Sequence, residues 1–338
     1  MATKLKQLDI IIENRYKLIN FIASGTFGAI YEAIDLQTHE RLAIKMERAK
    51  DSDSLTKESE FYEKLQASRR PGMLKLHFRC QIWNEYRVMG LELLGPSLWD
   101  LKQYCGGRFS LKTVLLIVDQ VIPRLKTIHD KGIIHRDLKP DNLIMGRGPS
   151  GNTLYLVDMG VAREKVQAPD DPMDYEGDKA LSLVGTKDYA PRAAHQLRCQ
   201  TYRDDMESLG YLLIEFLNDR LPWTYMTTTI AGQTSEERMA RSKERITLDT
   251  LCAGLPRAFK KYFEHVNSLR YNQRPNYYKL QCLFRSEFVR QGFHHDFVFD
   301  WTEQRFGEPA KKAAEKAAEE AAQKAAEEEY ESFSSSTE

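Results

Sequence analysis

The chain has 338 residues, 42% of them hydrophobic and 29% charged, the make-up of a soluble globular protein long enough for two core-bearing units. Lysine plus arginine and aspartate plus glutamate both number 49, so no global charge excess argues for nucleic acid or an anionic membrane as partner. The five cysteines, Cys80, Cys105, Cys199, Cys252 and Cys282, are scattered without CxxC spacing, which favours reduced thiols over a disulfide frame or a zinc site.

In chain order, the opening "MATKLKQLDIIIENRYKL" has no apolar run of signal-peptide length, and no later stretch reaches the roughly 18 residues that span a bilayer, so a cytoplasmic or nuclear protein is expected. About the first ninety residues read as strands plus one helix. "IASGTFGAIYEA" puts Gly25 and Gly28 in a turn between two strands, where a backbone without side-chain bulk can approach phosphate, although a plain hairpin would look the same. "RLAIKM" alternates, with Leu42, Ile44 and Met46 on one face and Ala43 and Lys45 on the other. "KESEFYEKL" is an acidic helix start. Further on, Val114, Val118, Val121, Leu125 and Ile128 step by four and three, the stripe of a buried helix, and Leu209, Leu213 and Phe216 repeat it. The second unit is therefore expected to be mainly helical. From Glu308 the chain turns to Ala, Glu and Lys before a serine-rich end, with no apolar stripe to dock, so 308–338 is expected to be a solvated, partly helical tail.

The chemistry concentrates in "IIHRDLKPDNLIMG", residues 133–146, and "LYLVDMGVA", residues 154–162. A carboxylate at Asp137 can take the proton of an acceptor hydroxyl, and a cation at Lys139 can neutralise a phosphoryl group in transfer. The amide oxygen of Asn142 suits a hard magnesium ion, with Asp158 as the other metal ligand. HRDLKPxN fixes seven of eight positions, and it stands in order after the glycine turn, "LAIK" and the acidic helix, and before "DMG".

These segments resemble a protein kinase. "LELLGPSLWDL", "RDDMESLGYLLIEF", "LPW" and "RQGFHHDFVFDW" are moreover similar to segments of the casein kinase 1 superfamily over about 15–306, with the tau-tubulin kinase and vaccinia-related groups open as branches. The resemblance implies an α+β, bilobal protein kinase fold. A small β-rich N-lobe with one helix would cover about 15–91, a hinge 92–95, and a larger, mainly helical C-lobe about 96–306. It implies a monomeric, ATP- and Mg2+-dependent serine/threonine kinase acting on protein hydroxyls, a preference that Lys139 also favours. By the same resemblance Ile22, Ala23, Ser24, Gly25, Thr26, Phe27 and Gly28 form the loop over ATP, and Lys45 holds its α- and β-phosphates and pairs with Glu58. Ile22, Ile30 and Ala43 roof the adenine and Ile144 floors it, while Leu91 is the gatekeeper. Glu92 opens the hinge, the Leu94 backbone bonds the base, and Asp100 lies near the ribose. Asp205 braces the catalytic loop that contains Arg136.

Departures from the family pattern bear on activity and substrate. Met159 replaces phenylalanine but retains apolar volume away from the metal, and Ala23 replaces the first loop glycine, so a modest rate loss is expected rather than inactivity. The alternative, a pseudokinase or scaffold, would more typically have lost Lys45, Asp137 or Asp158, and all are present. "GTKDYAPR" carries Asp188 where casein kinase 1 enzymes have an anion-binding arginine, so Lys187 or Arg192 would have to take over. Arg192 also reverses the glutamate of the usual Ala-Pro-Glu, so the ion pair with a late arginine, a role open to Arg274, is expected to be lost. Between Asp158 and Gly185 the hydroxyl residues are Tyr175 and Ser182. Asp170, Asp171, Asp174, Glu176 and Asp178 could pair with Arg136 in place of a phosphate. In the tail, Ser332 has Glu329 three residues upstream, which makes the protein's own C-terminus a candidate acceptor.

Overall fold

The computed structural model describes residues 10–25, 28–50, 53–68, 70–165, 182–226 and 232–305. Strands Ile11–Ile12 (β1), Tyr16–Gly25 (β2), Gly28–Asp35 (β3), Arg41–Arg48 (β4), Leu76–Ile82 (β5) and Tyr86–Glu92 (β6) form an antiparallel sheet in the order β1-β2-β3-β4-β6-β5. The alternation of β4 separates two cores, as its period of two requires. Leu42, Ile44 and Met46 join a small core with Ile12, Tyr16, Ala33 and Val88, while Ala43 packs against the main core on the other face. Gly25 pairs with Gly28 where β2 turns into β3. A side chain at Gly28 is excluded by its φ of +127° and by the Met46 carbonyl, which would lie 2.0 Å from a Cβ.

Helix α1 (Ser54–Gln66) enters between β4 and β5. Asp53 makes no side-chain cap. Instead the buried Glu47 of β4 accepts the Leu55 N–H at 2.8 Å and the Ser54 hydroxyl at 2.9 Å, satisfying the start of the helix from the strand. This tie sets the register of α1 against β4, two residues from Lys45.

After the hinge come α2 (Leu98–Tyr104) and α3 (Leu111–Asp130), whose stripe of Val114, Val118, Val121, Leu125 and Ile128 is fully buried. Pro123 inside α3 cannot donate to the Asp119 carbonyl, and Gln281 of α9 (Tyr277–Arg290) supplies that bond at 3.1 Å. Ser110 caps α3 and the "FVFDW" segment holds it: Asp300 accepts the Ser110 N–H and hydroxyl at 2.6 and 2.5 Å, and Phe299 stacks on Trp301 beside Phe109.

The segment that carries Asp137 and Asp158 follows in short pieces, β7 (Ile133–Ile134), a 3-10 turn at Pro140–Asn142, β8 (Leu143–Met145), β9 (Leu154–Leu156) and β10 (Arg163–Glu164). β8 pairs with β9, and β10 pairs back onto β7, so the loops that hold Asp137 and Asp158 lie side by side. The remaining helices are α4 (Arg192–His195), α5 (Tyr202–Asn218), α6 (Ser235–Arg245), α7 (Leu248–Leu251) and α8 (Arg257–Ser268). The apolar residues of α5, among them Leu209, Leu213 and Phe216, are buried nearly throughout, so it forms the axis of the helical part. A β-rich sheet with one helix, followed by a mainly helical part, is the mixed α+β architecture expected from the sequence. Thr26 and Phe27 of the glycine turn, the acidic residues Asp170 to Asp178 with Tyr175, and the tail with Ser332 lie outside the described residues.

Candidate active site

The site is built on a buried carboxylate. Asp205, 1% exposed near the start of α5, accepts the backbone N–H groups of His135 at 2.8 Å and Arg136 at 2.9 Å, and His129 Nε2–H at 2.9 Å. Burial opposes its charge, but His129 and these N–H donors more than offset it and lower its pKa. The Tyr277 hydroxyl, 2.6 Å from His129 Nδ1, engages the other nitrogen of that imidazole. Arg136 is thereby held at φ +69°, a left-handed conformation that costs a non-glycine residue about 1 kcal/mol, and the turn presents Asp137.

Asp137 is held at both oxygens. Oδ1 accepts the N–H of Thr186 at 2.8 Å and its hydroxyl at 2.7 Å, and Oδ2 accepts Lys139 Nζ at 2.7 Å. Asn142 gives its amide N–H to the Asp137 carbonyl at 2.9 Å, so its amide oxygen is left to serve as an acceptor. Thr186 was absent from the residues singled out in the sequence, although it stands in "GTKDYA", directly after Gly185. A side chain at Gly185, where φ is +95°, would meet the Arg136 carbonyl at 2.3 Å.

The second half of the site comes from the sheet and α1. Lys45 Nζ bonds Glu58 at 2.7 Å and Asp158 at 3.0 Å. Burial disfavours the lysine charge, but the two carboxylates outweigh it and its pKa is raised, so Lys45 is an ammonium. Glu58, 1% exposed, is pushed up to about 7 by burial against the pull of Lys45. Asp158 sits at φ +65°, its N–H bonded to the Tyr62 hydroxyl at 2.9 Å. Burial opposes its charge too, yet Lys45 holds its pKa below the usual carboxylate range. Met159 is buried in the main core, so the departure from phenylalanine is a packing change away from the Asp158 carboxylate.

Between these halves, Ala43, Leu94 and Ile144 are half-buried against the main core and Leu91 is within it. Gly95 N–H bonds the Met145 carbonyl at 2.7 Å, and Tyr155 reaches Glu92, which ties the hinge to β8 and β9. Ile22 is exposed on β2 and pairs with neither neighbour in the registered ladder. Asp100 is engaged in the cap of α2, where Oδ2 accepts the Ser97 N–H at 3.1 Å and hydroxyl at 2.7 Å. Asp158 and the Asn142 amide oxygen are hard oxygen donors, the kind that would suit magnesium.

On the acceptor side the expectations change. Arg192 is turned inward: its Nε bonds Glu207 at 2.9 Å and its second nitrogen bonds Asn267 at 2.6 Å, so it is not the spare cation that a moved anion site would need. The ion pair with a late arginine is absent, as expected, and a different one stands at this position. The basic partner stands at Arg192 and the acidic one at Glu207, which also accepts the Tyr211 hydroxyl at 2.6 Å. Arg274 is committed elsewhere, paired with Asp130 and lying over the Tyr202 and Tyr277 rings. Lys187 is exposed, and Asp188 is half-buried, with a pKa raised by burial against the pull of Lys243 and Lys187. Arg136 donates Nε–H to the Val161 carbonyl at 2.7 Å, and the acidic residues expected to meet it lie outside the described residues.

The arrangement can bind a polyanion at Lys45, hold a hard cation at Asp158 and Asn142, and receive a proton at Asp137. The family model for the protein kinase domain matches residues 16–286, which span the sheet from β2 onward, the loops of Asp137 and Asp158, and the helices through most of α9. The chain belongs to the protein kinase domain family, whose members are phosphotransferases that use ATP.

Proposed function

We propose that this kinase is a magnesium-dependent serine/threonine protein kinase of casein kinase 1 type, acting in the cytoplasm or nucleus. The observation that carries the reading is the placement of Lys139 Nζ 2.7 Å from Asp137 Oδ2, with Asn142 Nδ2 3.3 Å from the same oxygen. The acceptor oxygen attacks the γ-phosphorus of ATP, its proton passes to Asp137, and the bond to the ADP oxygen breaks. Lys139 offsets charge on the transferring group, and Lys45 holds the phosphates that stay behind. Bound magnesium would supply positive charge to the phosphate oxygens from Asp158 and Asn142. Incubation with labelled ATP, magnesium and casein, followed by phosphoamino-acid analysis, tests this. Label on serine or threonine is expected, and Asp137→Asn should cut it by roughly a thousand-fold. Label on tyrosine alone, or none from the wild type, would sink the reading.

The acceptor preference follows from the same loop. With Arg192 bound to Glu207 and Asp188 beside Lys187, the loop has no net positive charge to attract a phosphate or acidic group upstream of the target. The wild type should therefore discriminate weakly between primed and unprimed peptides. Asp188→Arg should shift relative kcat/KM toward primed peptides by about 1 kcal/mol, roughly five-fold. An unchanged ranking in a paired peptide panel would place acidic recognition elsewhere.

A further inference from the structure

The loop Thr186–Ala190 joins the catalytic carboxylate to the helical core, and one buried amine holds its far end. Lys243 is 2% exposed and shares the buried face of the otherwise polar helix α6 with Met239. Its Nζ donates to the carbonyls of Lys187 and Ala190, each at 2.7 Å, and lies 3.0 Å from His195 Nε2. The rings of Trp223 and Tyr211 lie 5.0 and 5.3 Å from it. Of the two carbonyls between those of Lys187 and Ala190, that of Asp188 accepts Trp223 Nε1–H at 2.8 Å. Thus three carbonyls of this loop are held from α6 and the segment after α5, while Thr186 at its near end bonds Asp137.

We infer that Lys243 is a positioning residue for the phosphate acceptor: as an ammonium it fixes the Lys187 and Ala190 carbonyls, and loss of its proton loosens this loop and weakens acceptor binding. The inference rests on the kinase reading above and adds a pH-dependent acceptor step to it. An ammonium has three N–H donors: two meet the Lys187 and Ala190 carbonyls, and the third faces His195 Nε2, which also lies 3.2 Å from the Lys187 carbonyl. A neutral amine can still serve both carbonyls, with its lone pair then facing His195 Nε2. The two charge-assisted bonds become ordinary ones of about half the strength.

The surroundings put this change in the working range. The groups around the amine are Asp188 and Lys187 on the loop, His195 on α4, and Glu207 and Tyr211 on α5; Arg192 is paired with Glu207, and Glu244 acts on His195 and bonds Gln196. Burial lowers Lys243 to about 7, with Glu207 and Asp188 resisting. Burial, then Lys243, lowers His195 to about 4, so the imidazole is neutral while the lysine titrates. As pH rises through neutrality, Lys243 loses charge and the acceptor KM should rise.

The test is steady-state kinetics from pH 6 to 9 on the full chain, with the serine peptide that the wild type phosphorylates fastest in a degenerate library. For the wild type, the peptide KM should rise about ten-fold across that range while the ATP KM stays within two-fold. Lys243→Met should show the high peptide KM already at pH 6 and no further rise. If the Met variant does not fold, Lys243→Arg, charged throughout, decides the question by keeping the low KM to pH 9. A flat wild-type profile, a Met variant with wild-type peptide KM, or an Arg variant that retains the alkaline rise overturns the inference alone. An inert wild type would overturn the kinase reading and this inference with it.

Discussion

Lys45→Met and Asp158→Asn should each lower phosphotransfer by roughly a thousand-fold while leaving a folded domain, because each removes charge that the transition state needs and neither fills the core. The two should differ in stability. Asp158 is partly open to solvent, so its amide variant loses an ion pair at an accessible edge; Asp158→Ala would add the strain of alanine at φ +65° and is the poorer probe. Lys45→Met strands Glu58, which is 1% exposed, and breaking a buried pair costs about 3 to 5 kcal/mol when the remaining charge persists. Glu58 can escape that by taking a proton, because burial already holds it near 7 and removal of Lys45 raises it further. The sign follows: a carboxyl whose folded pKa is raised contributes most below its unfolded value and loses that contribution as pH rises through the folded one. The melting temperature of Lys45→Met should therefore fall further below wild type at pH 8 than at pH 6. Substantial turnover by either purified variant would overturn the assignment, and a deficit that is equal at both pH values would show that Glu58 does not take up the proton.

Asp205→Ala should be the more damaging change to the fold. Three donors lose their acceptor at once, the buried His135 N–H and His129 ring and the partly buried Arg136 N–H, and a stranded buried donor costs about 1 to 3 kcal/mol. A loss of about 3 to 5 kcal/mol is expected, with activity gone, since these bonds hold the turn that presents Asp137. Urea unfolding of the variant beside Asp158→Asn measures this. A midpoint for Asp205→Ala no lower than that of Asp158→Asn would mean that the turn is held by other contacts.

Much of this was open to a reading of residues in order. The period of two in "RLAIKM" and the four-and-three steps from Val114 to Ile128 are local properties of backbone geometry, and both elements form where that geometry places them. The kinase pattern was equally open, because phosphoryl transfer demands a carboxylate, a cation and oxygen donors at short spacing within a single loop. Thr186 and Tyr62 were missed because what matters in them is a bond across the chain to Asp137 or Asp158, and their sequence neighbours carry no sign of it.

By itself, then, the sequence determined the order of the elements, the two-part architecture and the identity of the charged groups around phosphate. Only the tertiary structure decided which partner each charge takes. Arg192 meets Glu207 rather than a substrate anion, Arg274 meets Asp130, and Lys243 of a polar helix is sealed beneath the acceptor loop. Charges are long-range and promiscuous in sequence, and any basic residue could pair with any acid. Which pair forms, and with what pKa, depends on the burial and distance that result when α4, α5, α6 and the acceptor loop pack together.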